Sequence, residues 1–406
     1  MKSIAVRYAG WGEDWLLGRL ADDGRTTLFE YSPQALARGL ELSPLHLPLR
    51  ALAHGGFPPH LHRLPGLIAD SLPDGWGLLI MDRLFRREGL PRPSPLDRLA
   101  FIGDRAMGAL RFEPESALAT AEPRLDLLAL AAQAQRVIEG DASAALRELA
   151  VVGGSPQGAR PKALVQYDAG TGAISTRQDA PGEPWLVKFP GQGEHQEVCT
   201  IEQVYAEMAR ECGIDVSPSA CFELSPTSAA FATARFDRHV GQRVPVHSLA
   251  GLLHADFRVP GAVDYASLLR ATDLLTHDRR EVVKAFARAV FNVVFHNRDD
   301  HPKNFAWRLE RDGRWRLAPA YDLTFSEGPG GEHSMDVGGK GHSINEGDLT
   351  ALASRADIPA GDARAIIERT ADVAGTLSGR AAQHPIRRAT QKNLVAAVEA
   401  CRAALK

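Results

Sequence analysis

The 406-residue chain is 44% hydrophobic and 24% charged, with a formal net charge of −3. That length exceeds one small core and calls for two or three packed units. The near-neutral balance excludes a protein that coats nucleic acid electrostatically, which needs a strong basic excess. The basic runs DRLFRREGLPRP (82–93) and PIRRATQK (385–392) fit solvated faces. The four cysteines, Cys199, Cys212, Cys221 and Cys401, make no CxxC pair and no dense framework, so a reduced protein is expected. The opening MKSIAVRYAGWGEDW has no uninterrupted apolar stretch, and no run reaches the roughly 18 apolar residues of a membrane span. A soluble, cytoplasmic chain without membrane contact is the expectation.

Taken in chain order, residues 1–117 read as mixed and strand-rich. SIAVRYAG, WLLGRLADDGRTTLFEYS and ALRFEPE are short segments broken by Gly and Asp-Gly turn chemistry. PGLIADSLPDGWGLLIMDRLFRREG reads as helix interrupted at Pro73. The Ala/Leu-rich stretch from 123 to about 150 has the spacing of one or two connecting helices. GGSPQGARPKALVQYDAGTGA is punctuated by Gly and Pro. Strand-like PWLVKFP and AAFATARFD follow, with a helix over CTIEQVYAEMARECGI between them that stops at Gly213. Beyond 250 the chain turns mainly helical, in YASLLRATDLL, REVVKAFARAVFNVVF, ARAIIERTADVAGTL and KNLVAAVEACRAALK. A strand-rich half thus precedes a helix-rich half, an α+β order.

The chemistry concentrates in residues 296–326, HNRDDHPKNFAWRLERDGRWRLAPAYDLTFS. Phe305, Trp307 and Leu309 alternate before the turn RDGR, and Trp315 and Leu317 alternate after it, which predicts a hairpin. Such a return brings Asp322 back beside the loop at 299–304. Phosphoryl transfer from ATP needs a carboxylate to orient and deprotonate the attacking hydroxyl, and hard oxygen ligands for magnesium. Protein kinases use Asp-x4-Asn, then a hairpin, then a metal-binding Asp. Asp299 and Asn304 have that spacing, Asp322 follows the hairpin, and His296 stands three residues before Asp299. Lys303 is placed to neutralise transferring phosphate charge. Two other readings use the same residues: a plain polar loop, and a metallohydrolase with His296, Asp299 and His301 as ligands, although HExxH is absent.

A kinase also needs a lysine on a strand and a flexible loop over the phosphates. PWLVKFP puts Lys188 in an apolar extended run, where it either meets an anion or snorkels from a sheet edge. VVGGSPQGARPKALV is Gly-rich, suited to close backbone approach to phosphate. It is no Walker A loop, because Ala159-Arg160 replace Lys-Ser/Thr, and by itself it also fits a turn. Glu202, on the next helix, could pair with Lys188, as could other acids there.

In combination these segments resemble the HipA-type serine/threonine kinase toxins of bacterial toxin–antitoxin systems. LELSPLHLPLR, IADSLPDGWGLLIMDR and IGDRAMGALRFEPE are similar to the family's N-terminal domain; SPQGARPKALV, WLVKFP, TARFDR, DDHPKNF and YDLTFS are similar to its kinase core, in the family's order. The resemblance implies a two-lobed, protein-kinase-like α+β fold. Its parts would be an N-terminal subdomain (1–117), a helical connector (118–150), a β-containing N-lobe (151–250) and a mainly helical C-lobe (251–406). It implies Asp299 as catalytic base and Asn304 and Asp322 as magnesium ligands. Lys188 would contact ATP phosphates, and Gln157, Gly158, Ala159, Arg160, Pro161 and Lys162 would cover the nucleotide. Ala234, Arg235 and Phe236 would line the adenine hinge through backbone groups, with His301, Lys303 and Tyr321 nearby. Ser155 matches the family's autophosphorylated serine, where phosphate would expel the loop and silence the enzyme.

Departures are Asp300, where a second carboxylate is expected to alter metal occupancy, Ala234 in the hinge, and Pro156 after Ser155. The resemblance further implies a small helix-turn-helix antitoxin of HipB type, contact with DNA only through it, and a translation protein such as an aminoacyl-tRNA synthetase as target. The alternatives are a phosphotransferase acting on a small molecule or lipid head group, and a scaffold without activity.

Overall fold

Ile4, Val6 and Tyr8 point one way along strand β1 (Lys2–Tyr8) and are buried, while the residues between them lie nearer the surface. The same logic places Trp15, Leu17 and Leu20 of β2 (Trp15–Asp22) and Phe29 and Tyr31 of β3 (Thr27–Tyr31) in one core. Gly18 has a packing reason: a Cβ there would meet the Phe29 ring at 2.5 Å. With β4 (Ala53–His54) and β5 (Leu110–Glu113) these strands form an antiparallel sheet in the order β4-β3-β2-β1-β5. The computed structural model of the chain describes residues 2–119, 126–139 and 146–405. The parts of the expected helical connector at 120–125 and 140–145 lie outside the described residues.

Helices α1 (Pro33–Arg38), α2 (Gly66–Ala69), α3 (Gly75–Arg87) and α4 (Pro95–Ile102) accompany this sheet. The expected break at Pro73 separates α2 from α3, whose Trp76, Ile80, Met81, Leu84 and Phe85 make one buried stripe. Ser94 and Asp97 close a capping box that starts α4. Helices α5 (Leu127–Ile138) and α6 (Leu146–Gly153) lead to a second sheet of β6 (Lys162–Asp168), β7 (Ala173–Ser175), β8 (Glu183–Lys188), β9 (Ser219–Ser225) and β10 (Ser228–Ala234), in the order β7-β6-β8-β10-β9.

Between β8 and β9 runs α7 (Glu197–Glu211), which ends as expected at Gly213, in the left-handed region, with the Ile214 amide on the Ala209 carbonyl. Short strands β11 (Arg238–His239), β12 (Gln242–Arg243) and β13 (Val246–Ser248) and helix α8 (Leu249–Leu253) follow. The remainder is α9 (Tyr265–Thr276), α10 (Arg279–Val294), the hairpin β14 (Ala306–Leu309) and β15 (Trp315–Leu317), then α11 (Glu346–Arg355), α12 (Ala360–Ala374), α13 (Leu377–Ala381) and α14 (Arg388–Ala403).

The chain packs as two units. One contains residues 1–196, 220–247 and 251–254, and thus both large sheets; the other contains 197–219, 248–250 and 255–406 and is mainly helical. Helix α10 is the axis of the helical unit, with Val282, Ala285, Phe286, Ala289, Val290, Phe291 and Val294 all buried. Among the described residues no helix is long and apolar enough to cross a membrane.

The sheet unit is fastened by Asp237, which is buried and accepts from Arg235, from Arg238 and from the Gly108 amide at 2.7 Å. Burial alone would raise this carboxyl, but the charges of Arg235 and Arg238 outweigh it and hold the group well below the usual carboxylate range. Asp237→Asn keeps the shape but leaves two buried guanidiniums without their counter-charge. We expect it to cost about 3–5 kcal/mol in urea unfolding. Because the folded value is depressed, the contribution is complete above the unfolded value of about 3.9 and is lost as pH falls through the folded one. The gap between wild type and variant should be flat from about pH 5 to 8 and close in acid. A gap under about 1 kcal/mol at pH 7 would contradict this role.

Candidate active site

Helix α10 delivers the chain into the loop 295–304. The Tyr205 hydroxyl donates to the Phe295 carbonyl at 2.7 Å and the Asn297 amide to the Asn292 carbonyl at 2.9 Å, which fixes the exit. His296, at φ +54°, stacks on Phe325 and bonds the Ser326 carbonyl through Nδ1 at 3.1 Å. Burial lowers its pKa, and the stack and the bond give it a structural place. Asp299 is the exposed residue of the loop, its side chain 61% accessible. The Asn304 side chain donates through Nδ2 to the Asp299 carbonyl at 2.7 Å, closing the Asp-x4-Asn loop on itself. That leaves the Asn304 Oδ1 as the atom able to face a cation.

The expected hairpin is present: Trp307 pairs with Leu317, and Leu309 with Trp315. Its return strand is held from behind, since the buried Glu281 carboxylate accepts the Leu317 amide at 2.8 Å and the buried Arg288 guanidinium donates to the Ala318 carbonyl. At the far end the Ala320 amide meets the Asp215 carbonyl at 2.7 Å, and the Tyr321 hydroxyl donates to the Lys303 carbonyl at 2.6 Å. Tyr321 precedes Asp322 and Lys303 precedes Asn304, so the return places Asp322 on backbone tied to the loop. Asp322 itself has φ +54°, a strained setting for a residue other than glycine, of the kind that clusters at functional sites. An amide oxygen and a carboxylate are hard donors that fit magnesium.

The metallohydrolase reading does not assemble. Among the described residues no three His, Cys, Asp or Glu side chains group as metal ligands. His296 is turned onto Phe325, and His301 sits 5.3 Å from the Phe257 ring with its Nε2 4.0 Å from Asp299. The Lys303 ammonium lies 4.3 Å over that same Phe257 ring.

In the sheet unit, β6 and β8 place Lys162 directly opposite Lys188, and both are buried. Paired positions on antiparallel strands share a face, and like charges there are unfavourable unless an anion joins them. Lys188 also lies over the Phe231 ring of β10 at 5.7 Å. The loop between α6 and β6 is tied to the turn before α3. Gln157 donates through Nε2 to the carbonyls of Asp70 at 3.0 Å and Leu72 at 3.3 Å. The Gly158 amide donates to the Asp74 carboxylate, while the Trp76 amide donates to the Gly158 carbonyl at 3.2 Å. Asp74 is the N-cap residue of α3, but its side chain makes no cap bond to that helix and turns to the glycine loop, whose Gly158 carbonyl takes the Trp76 amide.

Further along the loop, the Lys162 ammonium donates to the Gln157 carbonyl, and Arg160 pairs with Glu194 at 2.9 Å. Gly158 has φ +109°, and a Cβ there would lie 2.1 Å from the Lys162 ammonium. Ser155 is 3% exposed, and its hydroxyl makes no hydrogen bond. In the expected hinge, the Arg235 amide donates to the Pro184 carbonyl at 2.9 Å and its guanidinium holds Asp237, so these Arg235 groups serve the fold. Glu202 is buried on α7 in the helical unit.

Family models match at both ends: a HipA-like C-terminal domain over residues 154–377 and a HipA N-terminal domain over 10–113. The chain belongs to the HipA family. Its fold is similar to that of a chain in the solved complex of the Shewanella oneidensis MR-1 toxin–antitoxin proteins HipA and HipB with operator DNA. That match has a TM-score of 0.71 and 17% identity, over 98% of this chain and 95% of that one. Among curated proteins it is 29% identical over 160 residues to Y4mE of Sinorhizobium fredii, named as a candidate kinase. The alignment takes in 35% of this chain and about a third (34%) of Y4mE. The α+β, kinase-like fold expected from the sequence is the fold observed.

Sequence spacing missed three groups of residues in this HipA-family fold. Asp300 is wholly buried and both its oxygens are taken by donors, so this second carboxylate does not stand as a further metal ligand. The turn 70–76 reads in the sequence as a helix interruption at Pro73, and nothing in it announces a partner in the glycine loop. A Ser43–His247–Asp70 chain, with contacts of 2.9 and 2.8 Å, has the order of a hydrolase triad. Ser43 and His247 have no exposed surface, so the chain braces Asp70 and offers no nucleophile.

Gln157→Ala removes the two amide bonds from the loop to the turn. We expect amide exchange at Trp76, whose donor rests on Gly158, to rise about tenfold in native-state hydrogen exchange. Unchanged exchange would show that the loop is held by other means.

Proposed function

We propose that this HipA-family protein is an ATP- and magnesium-dependent serine/threonine protein kinase, the toxin of a toxin–antitoxin module. The observation that carries the reading is the closed Asp-x4-Asn loop, with Asn304 bonded to the Asp299 carbonyl and Tyr321 tying the strand that bears Asp322 to Lys303. Asp299 is exposed and ready to meet an acceptor hydroxyl. In the proposed step that hydroxyl attacks the γ-phosphorus of ATP, the bond to the β–γ bridging oxygen breaks, ADP leaves, and the hydroxyl proton passes to Asp299. Magnesium, when bound, neutralises charge on the β- and γ-phosphates. Asn304 and Asp322 would hold it.

Lys162 and Lys188 stand opposite each other on β6 and β8, and Lys188 is proposed to contact the phosphates of ATP. In the sheet unit the loop Gln157–Lys162 is proposed to cover the nucleotide, and main-chain groups of the Ala234–Phe236 hinge to meet the base. Ser155 is the proposed autophosphorylation site. Because its hydroxyl is shut away from solvent, the loop must open for transfer. A group carrying close to two negative charges cannot return to that place, so the open state would persist. The partner proposed is a small HipB-type antitoxin, through which DNA is reached. The acceptor is proposed to be a translation protein such as an aminoacyl-tRNA synthetase.

Purified protein, labelled ATP, magnesium and cell lysate test the reading together. Label on a discrete protein band supports it, label confined to small molecules or lipids moves it to another phosphotransferase, and no label sinks it. Asp299→Asn should lower the rate by roughly 10²–10⁴; full activity would remove that carboxylate from the mechanism. Ser155→Ala should abolish self-labelling at that position and leave transfer to other proteins intact.

A further inference from the structure

Asp300 follows the proposed base directly in sequence and faces the opposite way, into the helical unit. Its Oδ2 accepts from the Tyr265 hydroxyl at 2.5 Å and from His333 Nδ1 at 2.7 Å. Its Oδ1 accepts from the Ser334 amide at 2.8 Å and the Met335 amide at 3.4 Å. Burial, with the Asp300 charge beside it, pushes the Tyr265 phenol far above its ordinary range, so that hydroxyl remains a donor. Tyr265 in turn receives the Asn292 side chain at 3.0 Å, and Asn292 receives Asn297 at 2.9 Å. One buried carboxylate therefore joins the catalytic loop, the start of α9, the end of α10 and the segment 333–335.

The backbone repeats the connection. The Ser334 amide and hydroxyl both reach the Arg298 carbonyl at 3.2 Å, and the Arg298 guanidinium reaches the Gly331 carbonyl at 2.6 Å. Asn297 bridges to Ser326, and the Tyr265 amide donates to the Asp336 carbonyl at 3.0 Å. The residues flanking Asp299 on its N-terminal side are thus sewn to the segment that follows Asp322. That segment is rich in glycine, with Gly328, Gly330 and Gly331 all at positive φ. Such a chain has no stiffness of its own and needs anchors.

We infer that Asp300 is a positioning residue: through His333 and the Ser334 and Met335 amides it fixes the segment after the metal aspartate to the catalytic loop, and so sets the aim of Asp299. The inference rests on the kinase reading above. It assigns the segment a fixed place by an internal carboxylate–imidazole pair, with no added phosphate required.

The test uses the full-length protein with labelled ATP and a protein acceptor, and reports kcat and KM separately. Asp300→Ala would take the acceptor from four buried donors, of which the Ser334 amide keeps the Arg298 carbonyl, and is expected to compromise folding. Asp300→Asn is the working variant, because its Oδ1 still serves Ser334 and Met335 while the contacts to Tyr265 and His333 must be re-made. We expect its kcat to fall about 10- to 100-fold per folded molecule, with KM for ATP changed less than twofold, because a small misplacement of a catalytic group suffices. His333→Asn keeps an N–H where Nδ1 stands and should hold kcat within about threefold, whereas His333→Phe removes it and should fall with Asp300→Asn. Wild-type kcat in Asp300→Asn, or equal activity in the two His333 variants, would overturn the inference while leaving the kinase reading in place. An inactive wild type would overturn the kinase reading itself, and the inference with it.

Discussion

The fold of the helical unit depends on one short backbone constraint: the chain that leaves α10 must be met again by the chain that returns from β15. The hairpin register decides this meeting, because Trp307 opposite Leu317 and Leu309 opposite Trp315 leave no slack between the loop and the return. A slip of one residue would turn the buried Trp307 and Leu317 outward and bring a different residue to the loop. Glu281 and Arg288 prevent it. Both are charged, both are buried, and both use their charge on backbone groups of the returning strand. Buried charges are costly unless hydrogen-bonded, so α10 carries two such residues where a purely apolar helix would suffice for packing alone.

In each unit a loop is held by residues remote in sequence. In the sheet unit the glycine loop meets the start of α3 through Asp74 and Trp76, a contact across 84 positions from Gly158 to Asp74. The Gly158 amide is thereby committed to Asp74. In the helical unit, Asp300 reaches across 33 positions to His333. Both contacts use carboxylates that a sequence reader would assign to solvent or to a metal.

Much of this was legible in the sequence because the signals were local. Alternating Phe305, Trp307 and Leu309 against Trp315 and Leu317 specified the hairpin, and the spacing of Asp299 and Asn304 gave the kinase-like order of that loop. Asp-Gly turns, the break at Pro73 and the stop at Gly213 marked element boundaries by backbone chemistry alone. What spacing could not carry was the partner of a polar side chain. Asp300 and Asp299 are identical residues side by side, and only the fold decides that one is wholly buried and the other exposed. His296 likewise read as part of a kinase-like motif or a metal ligand, and the stack on Phe325 gave it a packing role.

Asn304 and Asp322 are proposed to act together on one cation. Crystals grown with manganese and a non-hydrolysable ATP analogue, measured at the manganese absorption edge, test this directly. The expected result is an anomalous peak bonded to both Asn304 Oδ1 and the Asp322 carboxylate and to phosphate oxygens of the nucleotide. A nucleotide-bound manganese ion that touches neither residue would contradict it.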